Sequence, residues 1–344
     1  MGAQRKRHAR RPTAAELWAR FRGSPFFPAV VITLILGAAA GLFAGSYTYA
    51  MANPAPRHIP VAVTGDPARS AEVAAALDRA LDSTLALHRY PSYAKARLAV
   101  EEQHEFAILR AEDGRASLDL SGAAGASVAR LLAQAAQKSA VPLTVRDIKP
   151  LQPTDPQGLA IFYISLAAVI IGFVGAIQLS VHARALNAGE RIAFTLAYAA
   201  LGGLAIALVV DPLLGVLKLP FRESWGIISL TMFTSGMVFT MFNTLVRRWA
   251  MIPTWGVMVL IGNPSSGGAV SWPLLPSPLG FIGRWLPPGA SVNAQHTAIY
   301  FAGHQHVLPF AVLIAWSVAS IAVFVVWRHR HPGGRPTEPA HAAP

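Results

Sequence analysis

The chain has no cysteine, and only 13% of its residues are charged, where about 25% is usual for soluble domains. The first absence excludes disulfides, thiol catalysis and cysteine-based metal sites. The second, combined with 53% hydrophobic residues, excludes a single soluble globule. Nucleotide and hydrolase signatures are missing too. Gly262-Asn263-Pro264-Ser265-Ser266-Gly267 has the spacing of the start of a phosphate loop, but Gly268-Ala269 stand where Lys-Ser/Thr would hold phosphate and magnesium. No G-x-S-x-G elbow occurs, and Ser265 and Ser266, between Pro and Gly, read as turn formers. The histidine pairs His304/His306 and His329/His331 have no carboxylate nearby in sequence to complete a metal site. Catalysis by this chain, a cofactor and a bound metal are therefore not expected.

What is present is a series of apolar stretches, at residues 27–51, 159–181, 192–210, 225–246, 249–262 and 307–327. Most approach the roughly 20 residues that carry a helix across a ~30 Å hydrocarbon layer. The fifth is about fourteen residues long, carries Pro253, ends at Asn263-Pro264, and needs tilt or a thinned bilayer. The expectation is a membrane all-α fold of six transmembrane helices. No Asp, Glu, Lys or Arg lies well inside a span; the interior polar residues are Gln178, Thr231, Thr234, Ser235, Thr240 and Asn243. The lack of a buried carboxylate argues against a proton-coupled exporter of the same layout.

The 29 Lys and Arg exceed the 17 Asp and Glu, and the surplus follows the spans. Seven basic residues sit in the N-terminal tail, two in the 182–191 loop (Arg184, Arg191), two after the fourth span (Arg247, Arg248) and three in the C-tail. With six alternating helices all fourteen share one side, against only Glu16, Glu190 and Glu338. Positive charge marks the cytoplasmic side. Both termini are thus predicted cytoplasmic in a bacterial inner membrane, an Ala/Arg/Pro/Gly bias suggesting a GC-rich bacterium, and nucleic acid loses its support as a partner. Residues 1–25 read as a basic tail with an interfacial helix, whose Leu17, Trp18 and Phe21 share a face. The run at 26–52 ends in an A-x-A-like site, Ala50-Met51-Ala52, but is longer than a signal-peptide core and reads as a retained span. Gly37, Gly41 and Gly45 recur every four residues on it, a small-residue face for helix packing, within the chain or in a homodimer.

Between the first and second spans, residues 53–157 carry twelve basic and twelve acidic residues. They read as an inserted extracytoplasmic α/β domain, with strands near 59–64, 85–88, 106–110, 116–120 and 143–148 and helices near 68–85, 92–102 and 126–138. Glu112-Asp113-Gly114 signals a hairpin. Residues 158–262 hold spans two to five, 307–327 the last span, and 328–344 a second cytoplasmic tail. The intervening 263–306 is apolar yet rich in Pro and Gly (Asn263, Pro264, Ser265, Ser266, Gly267, Gly268; Pro273, Pro276; Pro287, Pro288, Gly289) and carries a single charge, Arg284. Unpaired backbone cannot face lipid, so this stretch is expected to pack on protein as broken or re-entrant outer helices.

This layout, with the N-P-S-S-G-G, L-P and L-P-P-G-A runs of 262–301, resembles the ABC-2 type permease group, in particular its YhgE/Pip (phage infection protein) branch and the related nitrosoguanidine-resistance-type proteins. The chain has a short outer domain where the longer members carry a coiled-coil insertion, so no phage-receptor role carries over. The resemblance implies the membrane subunit of an exporter of lipophilic or envelope-related molecules: a homodimer in contact with membrane lipid, powered by a separate cytoplasmic ATPase. The ATPase would dock at the 182–191 turn, around Arg184, Glu190 and Arg191. Residues 263–301 would form paired short helices near the exit of the path. The alternative is a non-transporting interaction or assembly protein whose outer domain binds an envelope partner.

Overall fold

The computed structural model describes residues 13–52, 54–112 and 115–331. The basic residues 5–11 and the C-tail beyond 331, both part of the charge argument, lie outside them. The chain divides into two units, Met1–Ser46 and Tyr47–Pro344.

In the first unit, α1 (Ala14–Arg22) begins at a capping box. Glu16 N–H donates to Thr13 Oγ1 and Thr13 N–H to Glu16 Oε2 (2.8 Å). Trp18, Phe21 and Phe27 pack as a ring cluster with centroids 5.6–6.0 Å apart. The long apolar helix α2 (Phe26–Met51) follows.

The second unit contains a mixed sheet in the order β2-β1-β3-β4-β5. Its strands are β1 (Pro60–Gly65), β2 (Ala86–Arg89), β3 (Ala107–Glu112), β4 (Arg115–Leu120) and β5 (Thr144–Asp147). All neighbours are parallel except β3 and β4, whose Glu112↔Arg115 pair closes the expected hairpin; its turn residues lie outside the described ones. Alternation decides the faces. Val61, Val63, Leu109, Leu118 and Leu120 pack under α3 (Pro67–Leu81) and α5 (Ala126–Lys138), while Ala62 and Ile108 meet α4 (Tyr93–Glu101) on the other side. The helix expected over 68–85 stops at Leu81. Asp82 turns left-handed (φ 53°) and Asp78 Oδ1 accepts from Leu85 N–H (2.8 Å), which ends the helix and starts β2.

Glu105, just before β3, is buried with one oxygen accepting from Tyr90 OH (3.0 Å) and lying 2.7 Å from His88 Nδ1, while the other has no partner. Burial pushes its pKa up, and the bonds to His88 and Tyr90 only partly oppose this. The folded state therefore holds this proton where the unfolded chain releases it, so stability falls as pH rises from the ordinary carboxylate range through the shifted value. Glu105→Gln is expected to flatten that slope and to raise stability at neutral pH by about 1 kcal/mol, the scale of a buried unpaired polar group. Thermal unfolding of the full chain in detergent between pH 4 and 8 checks this; a variant less stable at every pH contradicts it.

The remaining helices are α6 (Ala160–His182), α7 (Ala188–Leu208), α8 (Phe221–Val246), α9 (Met251–Trp255), α10 (Ser277–Ile282), α11 (Pro287–Tyr300) and α12 (Leu308–Arg330). Five helical stretches among the described residues are long and apolar enough to cross a membrane: Phe26–Met51, Ala160–His182, Ala188–Leu213, Phe221–Trp249 and Leu308–Arg330. The chain is a helical, multi-pass membrane protein carrying a mixed sheet.

The expected sixth span at 249–262 is not a helix of spanning length. Met251–Ile261 is a short apolar helix whose second half widens to a π turn, reaching about 16 Å at 1.5 Å per residue. Pro253 stands in the first turn of α9, where a missing backbone donor is tolerated, so the helix begins here after the break at Arg247–Trp249 and does not continue α8. Gly262 lies against the Pro288 ring, so this half-length helix ends beside the start of α11.

Helix α8 is the hub of the bundle. Three of the mild polar residues noted in the sequence point inward and tie helices together: Ser235 Oγ donates to Val169 O (2.6 Å), Thr234 meets Ser317 (2.8 Å), and Thr231, Ser291 and Ser165 form a hydroxyl chain (2.9 and 3.1 Å), whereas Gln178 is exposed and Thr240 bonds back to Gly236 O of its own helix. The α6–α7 turn and the end of α12 meet at the end of the bundle away from the sheet, where Arg328 donates to Leu186 O (3.2 Å).

Candidate functional site

The 263–306 segment folds back on itself and is clamped between the sheet and the bundle. Gly267 takes a positive φ (82°), which turns the chain after Ser266 at little steric cost. Gly283 lies on the carbonyl of Ser265, and Gly289 on that of Gly283, so a Cβ at either position would collide with backbone. Pro287 and Pro288 occupy the first turn of α11, where a missing N–H costs nothing. The concentration of Gly and Pro here thus builds a tight, mostly buried knot and not a loose loop.

The sheet is bolted to this knot. Leu274 enters the sheet's own core. Arg57 donates from its backbone to Pro273 O (2.9 Å) and from its guanidinium to Leu275 O (2.5 Å). Ser127 Oγ donates to Ser271 Oγ (2.8 Å) and accepts from Ser271 N–H (2.9 Å). Gln103 donates to Thr297 Oγ1 (3.1 Å) and His304 O (3.3 Å), and Gln152 exchanges two bonds with the backbone of Lys218 (2.7 and 3.0 Å).

Between these parts lies a cavity of about 650 Å³. Its walls mix apolar groups (Phe106, Ile161, Trp272, Phe281) with polar ones (Ser271, Asn293, His296) and two exposed arginines, Arg57 and Arg284. Asp155 also reaches it, but its two oxygens accept from Leu159 and Ala160 N–H (3.1 Å each), capping α6. Asn293 is exposed on an otherwise buried helix because it faces this space.

Of the residues singled out from sequence, Ser265, Ser266, Gly267, Gly268 and Pro273 line the cavity. Asn263, Pro264, Pro276, Pro287, Pro288 and Gly289 do not, and form its supports. Asn263 is buried and donates to Tyr47 OH (2.7 Å). The docking trio is split: Arg184 is exposed, whereas Glu190 caps α7 with Asn187, and Arg191 folds back onto Ser180 Oγ and Ala183 O (3.2 Å each). At Gly37, Gly41 and Gly45 an added Cβ meets nothing within 4 Å, so that face packs on nothing within its own unit. The small residues that do bring helices together are Gly172, Gly203 and Gly236, around α8. They lack the four-residue repeat that marks the stripe on α2, and only their position within apolar runs hints at a role. Sequence reasoning also missed Arg57, Gln103 and Ser127, which join parts of the chain far apart in sequence. No group of three or more His, Asp or Glu with metal-binding geometry occurs among the described residues.

Compared with protein families, curated proteins and solved structures, the chain finds no match.

Proposed function

We propose that this protein is an ABC-2 permease-like membrane subunit, of the YhgE/Pip-like or nitrosoguanidine-resistance-like branch, that exports a lipophilic or envelope-related molecule and is driven by a separate ATPase. It is not itself an enzyme. What supports the reading most is the cavity of about 650 Å³ at the sheet end of the bundle, walled by the buried Ser265–Gly268 turn and α11. Ligand pockets of about 300–1,000 Å³ with apolar walls and a few polar groups suit small amphiphiles. In this reading six crossings are retained. The fifth is discontinuous, made by Met251–Ile261 followed by α11, an arrangement tolerated where it is buried in protein or lines a cavity. The sheet domain then lies outside the inner membrane and both termini are cytoplasmic. Two copies pair along Gly37, Gly41 and Gly45, and the ATPase contacts the 182–191 turn through Arg184.

The test is purification of the protein from its host in mild detergent, with assay for a co-isolating ATPase and for nucleotide turnover. An ATPase that is lost on Arg184→Glu supports the reading. Intact dimer that repeatedly lacks any ATPase overturns it and favours a stand-alone assembly protein.

A further inference from the structure

At the end of the bundle away from the sheet, two arginines meet with no carboxylate paired to either among the described residues. Arg191 comes from the first turn of α7 and Arg328 from the last turn of α12, and both are half-buried. Both reach the same short stretch of chain, Arg191 onto Ser180 and Ala183 and Arg328 onto Leu186, which brings their like charges together. Among the described residues, neither forms an ion pair with a carboxylate. Protein groups satisfy part of each fork: Ser180 Oγ and Ala183 O for Arg191, and Leu186 O for Arg328 (3.2 Å each). These contacts fix Arg191 against the end of α6 and Arg328 against the turn that follows it. Arg328 Nε remains buried with no partner.

Two half-buried like charges beside a buried, unused donor are costly unless something anionic neutralises them. The chemistry that fits is a phosphate. Guanidinium groups bind its oxygens through paired charge-assisted bonds, and one negative charge between them turns repulsion into attraction. The level of the site selects the source. Both arginines stand at the ends of membrane-spanning helices, beside the exposed Val181 and beside Trp327, whose ring stacks on His331 (4.4 Å). Basic pockets between helix ends, next to interfacial tryptophan, lie where lipid headgroups lie.

We propose that Arg191 and Arg328 form a site for the phosphodiester of an anionic phospholipid in the leaflet at this end of the bundle. The site depends only on the helices spanning a membrane, and its readout needs neither transport nor an ATPase.

The experiment uses the full chain in nanodiscs of phosphatidylglycerol or of phosphatidylcholine, followed by detergent release, native mass spectrometry of retained lipid, and thermal unfolding. Wild type is expected to retain phosphatidylglycerol at least tenfold over phosphatidylcholine and to unfold at a higher temperature in the anionic lipid. The R191Q/R328Q double variant is expected to lose both differences. A wild type with no preference between the two lipids overturns the proposal without recourse to any variant, as does a folded double variant that keeps the preference. If millimolar inorganic phosphate stabilises the wild type in phosphatidylcholine as much as phosphatidylglycerol does, the occupant is a free anion and the lipid assignment fails.

Discussion

Gly172→Val is expected to leave little folded protein, while Gly41→Val leaves the fold of the single chain intact. Gly172 sits at the middle of α6 where it crosses α8, and an added Cβ would strike the carbonyl oxygen and Cα of Met232 and the Cβ of Ser235. Backbone cannot rotate away as a side-chain tip can, so the helices must part. Parting breaks the Ser235 bond to Val169 O (2.6 Å) and disturbs the backbone whose Gly172 O accepts from Tyr198 OH of α7 (2.6 Å). Overpacking costs about 1–3 kcal/mol where neighbours yield, and this site belongs at or above the top of that range. Gly41, by contrast, meets nothing within 4 Å. Its substitution is expected to act only if a second copy packs on that face, lowering the dimer fraction with no change in monomer unfolding temperature. Detergent-solubilised yield, thermal unfolding and multi-angle light scattering separate the cases. Equal unfolding temperatures for wild type and Gly172→Val contradict the first expectation, and an unchanged dimer fraction for Gly41→Val contradicts pairing along that face.

The same pair of glycines shows what the sequence makes legible. The repeat at Gly37, Gly41 and Gly45 is a periodic signal, and periodicity is what a linear reading detects. Whether a face meets a neighbour depends on helices separated by dozens of residues, as Gly172 and Met232 are. Most of the sheet domain's strands and helices are legible to within a residue or two, apart from the end of α3, because their signals are local: Gly65-Asp66-Pro67 starts α3, Ser92 caps α4, and β1 is mostly apolar. Hydropathy located the long spans, and at 249–262 it marked an apolar stretch that folds as the short helix Met251–Ile261, its second half a π turn that no local pattern announces. The knot at 263–306 was recognisable as packed backbone from its apolar Pro/Gly composition. Its union with the sheet was not, because Leu274 in the sheet core and Ser271 on Ser127 are long-range contacts without a local pattern. The cavity walls follow from that union.

Asp155→Ala is expected to destabilise the protein by about 2–3 kcal/mol, combining loss of a helix cap with exposure of unsatisfied donors. Asp155 is buried, and its two oxygens accept from Leu159 and Ala160 N–H (3.1 Å each) at the point where the chain leaves the sheet and enters α6. Its backbone continues the junction, with Asp155 N–H donating to Gln152 O (2.9 Å) and Gly158 N–H to Asp155 O (3.0 Å). The negative charge also suits the positive end of the α6 dipole. The alternative role, an acid presented to a ligand in the cavity, is tested by Asp155→Asn. That variant keeps one carbonyl acceptor and the side-chain volume, so a capping role predicts recovery of roughly half the lost stability, whereas an acid required by the ligand predicts near-wild-type unfolding with ligand handling still abolished. Both oxygens are already engaged by backbone donors, so we expect the first outcome. On that outcome, the groups around the cavity with polar atoms to spare are Asn293, whose Nδ2 donates to Gly289 O, and Arg57 and Arg284, which each use one guanidinium donor on a backbone carbonyl, and the proposed export site is expected to favour neutral or anionic headgroups over cationic ones.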